Sequence, residues 1–360
     1  MPVNKCRVCG NKFFKEPLLQ YENMPKAAQF LPDKHTLKSD RGTKLKVYQC
    51  RGCGLVQLSN SPVLYYKEVI RAAGFSQVMI NFRKKQFSSF VKRFSLKGKK
   101  IVEIGCGNGE YLSVIERCGV KAYGLEYSRL AVRHCLKQGL KVCRGFVQNS
   151  SLKLKHAPFD AFFTLMFLEH LPNHGLVLGG IYNNLADGAV GLVEVPNFDM
   201  ILGKKLFSEF IPDHLFYFTK DTLNTLLRLN GFEIIECKEI WHNYIISAVV
   251  KKREKLDLSY FYKHQANLKK EIKEYLCRFK NKKVAIWGAG HQALAVLSLI
   301  DAQKSPSFSS GMNAPKIIPT RSSKLSKKIL TYKAESGVSM KPRALARGGS
   351  LNLSIGRAHV

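Results

Sequence analysis

Val102-Glu103-Ile104-Gly105-Cys106-Gly107-Asn108-Gly109 is the stretch that decides the fold. An apolar strand, Ile101 to Ile104, runs into three glycines at alternate positions, and a helix-compatible segment from Glu110 to Arg117 follows. Leu112 and Ile115 fall on one face of that segment. Glycines so spaced let the backbone approach a ligand where a Cβ would collide. About 20 residues on, the typical spacing for such an acid, the strand Lys121-Ala122-Tyr123-Gly124-Leu125 ends in Glu126. A carboxylate there is placed to bind ribose hydroxyls. A glycine turn alone also occurs in α/β proteins that bind no nucleoside, and Glu126 weighs against that alternative.

Working outward, strand-like runs cover Leu140 to Cys143, Phe159 to Met166, Ala189 to Val195, Phe232 to Glu236 and Tyr244 to Lys251. Helix-compatible stretches lie between them, including Ser128 to Gln138 and Thr219 to Leu229, each opened by a good N-cap residue. Strands alternating with helices predict a doubly wound α/β sheet. Only a few residues around Trp241 to Asn243 join the last two strands, too short for a crossover helix, so that pair is antiparallel.

With these features the chain resembles the class I S-adenosylmethionine-dependent methyltransferases, which share the E-x-G-x-G-x-G turn, the acid ending the second strand and the antiparallel last hairpin. Phe159-Asp160-Ala161 through Leu168-Glu169-His170-Leu171-Pro172 is similar to their fourth strand and following loop. Pro212-Asp213-His214-Leu215-Phe216-Tyr217-Phe218-Thr219, with Asn230-Gly231-Phe232, is similar to a late stretch in many of them. The resemblance covers roughly Lys99 to Arg253. It implies a Rossmann-like fold with S-adenosylmethionine as cofactor. Glu103, Gly105, Gly107 and Gly109 would hold its methionine part, Glu126 its ribose, and the strand end at Met166 and Phe167 would line it.

Four of the ten cysteines form Cys6-x-x-Cys9-Gly and Cys50-x-x-Cys53-Gly. Each pair sets two thiols on one tight turn, and four thiolates suit a tetrahedral structural Zn²⁺ with no open position. Disulfides or buried free thiols are the alternatives. The other six cysteines are scattered singly and no signal peptide is evident, so an oxidising compartment is disfavoured and a cytoplasmic one expected. The paired cysteines, with Tyr21 to Phe30 between them and Leu55 to Leu58 after, resemble the zinc-binding domain at the front of the sugar C-methyltransferases. Those enzymes methylate a nucleotide-linked keto-deoxy sugar. Val284-Ala285-Ile286-Trp287-Gly288-Ala289-Gly290-His291-Gln292-Ala293 resembles the start of their C-terminal domain. Lacking an acid after a second strand, it reads as a packing element without its own cofactor.

The expected organisation is a zinc module at 1–60, a methyltransferase domain with leading helices at 61–253, a linker helix and partial Rossmann-like segment at 254–303, and a basic, disordered or aberrant tail at 304–360. The tail has eleven Lys and Arg against Glu335 and no sustained apolar period, so the last domain reads as incomplete, from truncation or an altered frame near Gln303. The formal net charge is +32, and basic stretches such as 81–100 read as solvated helix faces. Such a surface suits an anionic nucleotide sugar, nucleic acid or an anionic membrane surface. No apolar run reaches the ~18 residues of a membrane span.

His170 and His214 each follow an acid in loops on the ligand side of the sheet, and either suits the general base. The sugar C-methyltransferases carry Tyr-His-Glu-His where this chain has Ile211-Pro212-Asp213-His214, so one histidine is kept, the acid is shortened to Asp213 and the tyrosine hydroxyl is missing. Carbon methylation with His214 as base and His170 beside it is the leading expectation. O- or N-methylation of a sugar or other small metabolite stays open, as does a zinc-dependent RNA-binding protein or RNA methyltransferase. The tail offers only Phe308 and Tyr332 as aromatics, which disfavours specific nucleic-acid recognition there and leaves electrostatic binding.

Overall fold

The structure is a computed structural model that describes residues 3–29, 32–68, 76–278, 284–286, 291–299, 329–332 and 351–355. Two units are present, Met1–Glu254 and Lys255–Val360.

In the first unit a small sheet precedes the main one. Its strands are β1 (Leu19–Met24), β2 (Thr43–Gln49) and β3 (Val56–Leu58), each antiparallel to the next. Then come α1 (Gln77–Arg93), β4 (Lys100–Ile104), α2 (Glu110–Glu116), β5 (Lys121–Glu126), α3 (Arg129–Lys137), β6 (Val142–Arg144) and β7 (Phe159–Leu165). The unit continues with α4 (His174–Tyr182), β8 (Leu185–Pro196), α5 (Phe198–Gly203), β9 (Phe216–Tyr217), α6 (Lys220–Leu229), β10 (Phe232–Ile240) and β11 (Ile245–Lys252). The main sheet runs in the order β10-β11-β8-β7-β4-β5-β6. β4 pairs parallel with β5 and β7, β7 with β8, and β5 with β6, while β11 is antiparallel to both β8 and β10.

The central strands read as continuous apolar runs because both their faces are covered. Ile101 and Phe163 pack on one side with Phe87 of α1, Leu112 of α2 and Val132 of α3. Val102 and Phe162 face the other side, with Leu178 of α4, Leu226 of α6, and Leu45, Val47 and Leu58 of the small sheet. The period of two along each strand decides which core a residue joins. Ser128 and Thr219 cap α3 and α6 as their types require, Thr219 in a reciprocal box with Thr222.

The 81–100 stretch differs from expectation at Arg83. Its side chain is fully buried and ion-paired with Glu194 of β8, while its guanidinium lies 4.7 Å from the ring centroid of Tyr111. Gln86 and Ser247 also bond to Glu194. One face of α1 is therefore riveted to the sheet rather than solvated.

β9 joins the small sheet by pairing with β3, and Leu58 N–H donates to Leu215 O at 2.9 Å. The N-terminal segment and the late Pro212–Phe218 segment thus share one sheet.

The second unit, described by itself, holds α7 (Ser259–Cys277), β12 (Val284–Ile286), α8 (His291–Leu299), β13 (Ile329–Tyr332) and β14 (Leu351–Ile355). Among the described residues its strands are parallel, in the order β12-β14-β13. β13 and β14 fall in the tail expected to supply no further strands, where Ile329-Leu330 and Leu351 to Ile355 are short β-prone runs. The second glycine turn, Trp287 to Gly290, lies outside the described residues, as does the rest of 304–360.

Candidate active site

β4 delivers the chain into the glycine turn at the C-terminal edge of the main sheet, where ligands bind in open α/β folds. Gly105 and Cys106 N–H both donate to Leu125 O, which locks the turn against β5. Gly107 sits at φ +56, and a Cβ there would meet only Glu110 Oε2 at 3.6 Å, so this position is open. Cβ atoms at Gly105 and Gly109 would instead strike the Phe167 ring at 2.9 Å and Leu140 Cδ1 at 2.4 Å. Glu126 is buried and accepts from Gly107 N–H at 2.9 Å and Ser128 N–H at 2.7 Å. Turn and acid are therefore one unit. Glu103 is fully buried in β4, in register between Gly124 and Phe163.

A crevice opens beside Glu126, walled by Gly105, Leu125, Tyr127, Phe146 and Phe167. Phe167, rather than its neighbour Met166, forms that wall; Met166 is half-buried at φ +53 with its N–H bonded to Glu194 O. Lys67 also lines the crevice, its Nζ 5.2 Å from the Tyr127 centroid and 5.1 Å from that of Phe146. Aromatic walls beside a buried carboxylate offer ring faces for stacking.

Past Phe167 the chain reaches Glu169 and His170, and the late segment brings up Asp213 and His214. His170 Nδ1–H donates to the Asp213 carbonyl at 2.8 Å, which leaves Nε2 as the free lone pair of the neutral ring. The His170 and His214 rings are 4.8 Å apart, and His170 Nε2 is 3.8 Å from Glu169 Oε1. Donor atoms of Glu169, His170 and His214 all lie within 4.8 Å of one another. Burial pushes His170 down to about 4 and His214 to about 3, with the neighbouring His170 adding to the shift at His214. Both rings are neutral at pH 7, and their titration lies well below the range expected from the residue type alone. Asp213 Oδ1 accepts from Ala28 N–H and the Tyr65 hydroxyl, each at 2.9 Å, so the N-terminal segment holds this acid.

The four paired cysteines converge as well. Cys6 Sγ is 3.7 Å from Cys53 Sγ, and Cys9 Sγ is 3.4 Å from Cys50 Sγ. A tetrahedron with Zn–S bonds of about 2.3 Å has edges of about 3.8 Å, so the cluster fits the ion. Val8 and Gly52 N–H and the Gln57 amide donate to these sulfurs, as a thiolate cluster requires.

Apart from Met166, which lies behind Phe167, the site residues named from the sequence occupy three places: the turn with its acid and crevice, the histidine pair, and the cysteine cluster. Ala28, Tyr65, Lys67, Tyr127 and Phe146 were missed. Tyr127 stands one residue after the end of β5 and Phe146 two after the end of β6, where a reading carried a few residues past each strand would have found them. Tyr65 meets Asp213 across 148 residues, and no local pattern announces that contact.

A family model for a methyltransferase domain matches residues 79–237. Those residues are a class I, S-adenosylmethionine-dependent methyltransferase domain. The methyltransferase domain is similar to a ubiquinone biosynthesis O-methyltransferase of Nitrosococcus oceani, 32% identical over 83 residues, 22% of this chain and 35% of that protein. A protein of the same name from Cupriavidus pinatubonensis is 23% identical over 163 residues, 41% of this chain and 66% of its own. The chain thus spans between about a third and two thirds of the length of these curated relatives. Among solved structures, a magnesium protoporphyrin IX methyltransferase from Synechocystis with bound S-adenosylhomocysteine aligns at TM-score 0.38 and 16% identity, covering 49% of this chain and 84% of that one. No helix among the described residues is long and apolar enough to cross a membrane.

Proposed function

We propose that the protein transfers the methyl group of S-adenosylmethionine to the carbon beside the ketone of a nucleotide-linked keto-deoxy sugar. One observation carries this reading: buried Glu169 and His170, which follow the aromatic wall of the cofactor crevice at Phe167, gather with half-buried His214 in one cluster. The cofactor supplies the activated methyl, and the chain must orient it and accept a proton. The Gly105–Gly109 turn and Glu126 bind its amino-acid and ribose parts, and Phe167 and Phe146 flank its base. His214 takes the α-proton of the acceptor, the C–H electron pair forms an enolate, and the enolate carbon bonds to the methyl as the C–S bond breaks. Glu169 offsets the charge of the imidazolium so formed, and His170 and Asp213 position the acceptor side.

Cys6, Cys9, Cys50 and Cys53 hold one structural Zn²⁺ in this reading, supported by their mutual spacing. The six cysteines outside that cluster, each a free thiol, support a reducing, cytoplasmic setting. The test is mass spectrometry of nucleoside-diphosphate keto-sugars incubated with protein and S-adenosylmethionine. One added methyl on the sugar carbon is expected, and its absence across keto-sugars would overturn the acceptor assignment.

A second reading, methyl transfer to a hydroxyl, is favoured by Ile211, which has no hydroxyl to stabilise an enolate. The nearby phenols are engaged otherwise: Tyr217 accepts from Ile211 N–H at 3.2 Å and Tyr65 donates to Asp213. Product structure separates the two readings.

A further inference from the structure

The small sheet carries a second concave surface, and it does not serve methyl transfer. Along β2, Leu45 and Val47 point into the core shared with the methyltransferase domain, while Lys44, Lys46 and Tyr48 take the opposite face. That face and the first cysteine turn form a groove to which Lys5, Lys12 and Lys15 also contribute. No carboxylate lines it. Of the five ammonium groups, Lys44 is paired with Glu22, at 2.8 Å.

The arrangement works against its own stability. Lys5 and Lys12 are direct partners in an antiparallel bridge, where like charges repel. An anion bound between them would remove that cost. The groove is also aromatic: Phe13 and Tyr48 stack at 5.1 Å and 17°, and Phe14 is 50% exposed beside them. Lysines following a track with an exposed ring are the two parts of a sequence-indifferent single-strand site, one for phosphates and one for a base face. A simple phosphate would need only the lysines, and an acidic protein segment would not call for the ring.

The geometry points to this groove as a binding site for single-stranded nucleic acid, held by Lys5, Lys12, Lys15, Lys44 and Lys46 with a base stacked on Phe14. The occupant is bound, not methylated, because the groove faces away from the core that carries the cofactor crevice.

The test is fluorescence anisotropy of a labelled oligouridylate with the full chain across a salt series. Each phosphate neutralised contributes about −0.7 to the slope of log affinity against log salt for a single strand. Lys12→Gln with Lys46→Gln is expected to weaken binding about tenfold or more and to flatten the slope by about one. Phe14→Ala is expected to cost about fivefold or more with the slope unchanged. Lys324→Gln with Lys327→Gln removes equal charge from the tail and controls for bulk attraction. An undiminished melting temperature and unchanged zinc content show that the variants fold. Equal losses from the groove and tail pairs would overturn the site. Inorganic polyphosphate competing as well as oligouridylate, with Phe14→Ala inert, would overturn the nucleic-acid assignment.

Discussion

His170 Nδ1 lies 2.8 Å from the backbone carbonyl of Asp213, so one bond ties the loop after β7 to the segment before β9. The carbonyl can only accept, which fixes the tautomer and leaves His170 Nε2 and the His214 ring on one side of the cluster. His214→Ala should suppress solvent-deuterium exchange at the acceptor's α-carbon by about 10²-fold or more, the loss typical of a general base. S-adenosylhomocysteine affinity should be little changed. Exchange at the wild-type rate in the variant would place the base elsewhere.

Gly107→Val tests the cofactor half. The residue would have to adopt φ +56, which costs a β-branched side chain dearly, and its methyls would enter the open side of the turn. Calorimetry with S-adenosylhomocysteine should show no detectable heat of binding, while circular dichroism of the fold stays unchanged. Retained affinity would remove the turn from the site.

The cysteine cluster should hold one zinc per chain by elemental analysis of reduced protein. Cys50→Ser should lower the melting temperature by about 5–10 °C, as expected for losing several kcal/mol from a unit of this size. Cofactor affinity should move far less. Metal-free protein of unchanged stability would rule out the structural ion.

Two buried histidines, His170 and His174, and half-buried His214 set a pH dependence. His170 and His174 are pushed down to about 4 and His214 to about 3, chiefly by burial. The unfolded chain takes up these protons near pH 6.5 and the folded one does not, so stability is full above about 6.5 and declines as pH falls toward 4. Melting temperature measured from pH 7.5 to 4.5 should fall below the upper value. His174→Gln, which can keep the bond to Leu168 O, should make that fall shallower.

Arg83→Ala should destabilise the chain by about 3–5 kcal/mol in denaturant titration, because Glu194 would be left charged and fully buried. Arg83→Met with Glu194→Leu should recover most of the loss. An additive double variant would show that the pair does not act as one.

The legible part of the molecule was the part written contiguously. From Ile101 to Arg144, each strand feeds the next turn, so residue type and spacing carry the fold and the cofactor side together. The hairpin around Trp241 to Asn243 was equally readable, since a connection of four residues, Trp241 to Tyr244, is too short for a crossover. Arg83 was not: a basic residue on a basic helix looks solvated, and only the register of β8 shows that Glu194 lies against it. The depressed titration of His170 and His214 also comes from burial, which neighbours in sequence do not reveal. β13 and β14 were obscured by the Ser- and Lys-rich stretches around them.

β9 completes a sheet begun by residues far earlier in the chain, and Ala28 and Tyr65 hold the acid that precedes His214. The seam in space therefore does not follow the seam in sequence. A recombinant that swapped only residues 79–237 with those of a relative would keep Ala28 and Tyr65 but replace the Asp213 they hold. On the proposed reading, the acceptor side is therefore built by two distant segments together, the one holding Ala28 and Tyr65 and the one from Phe207 to Phe218.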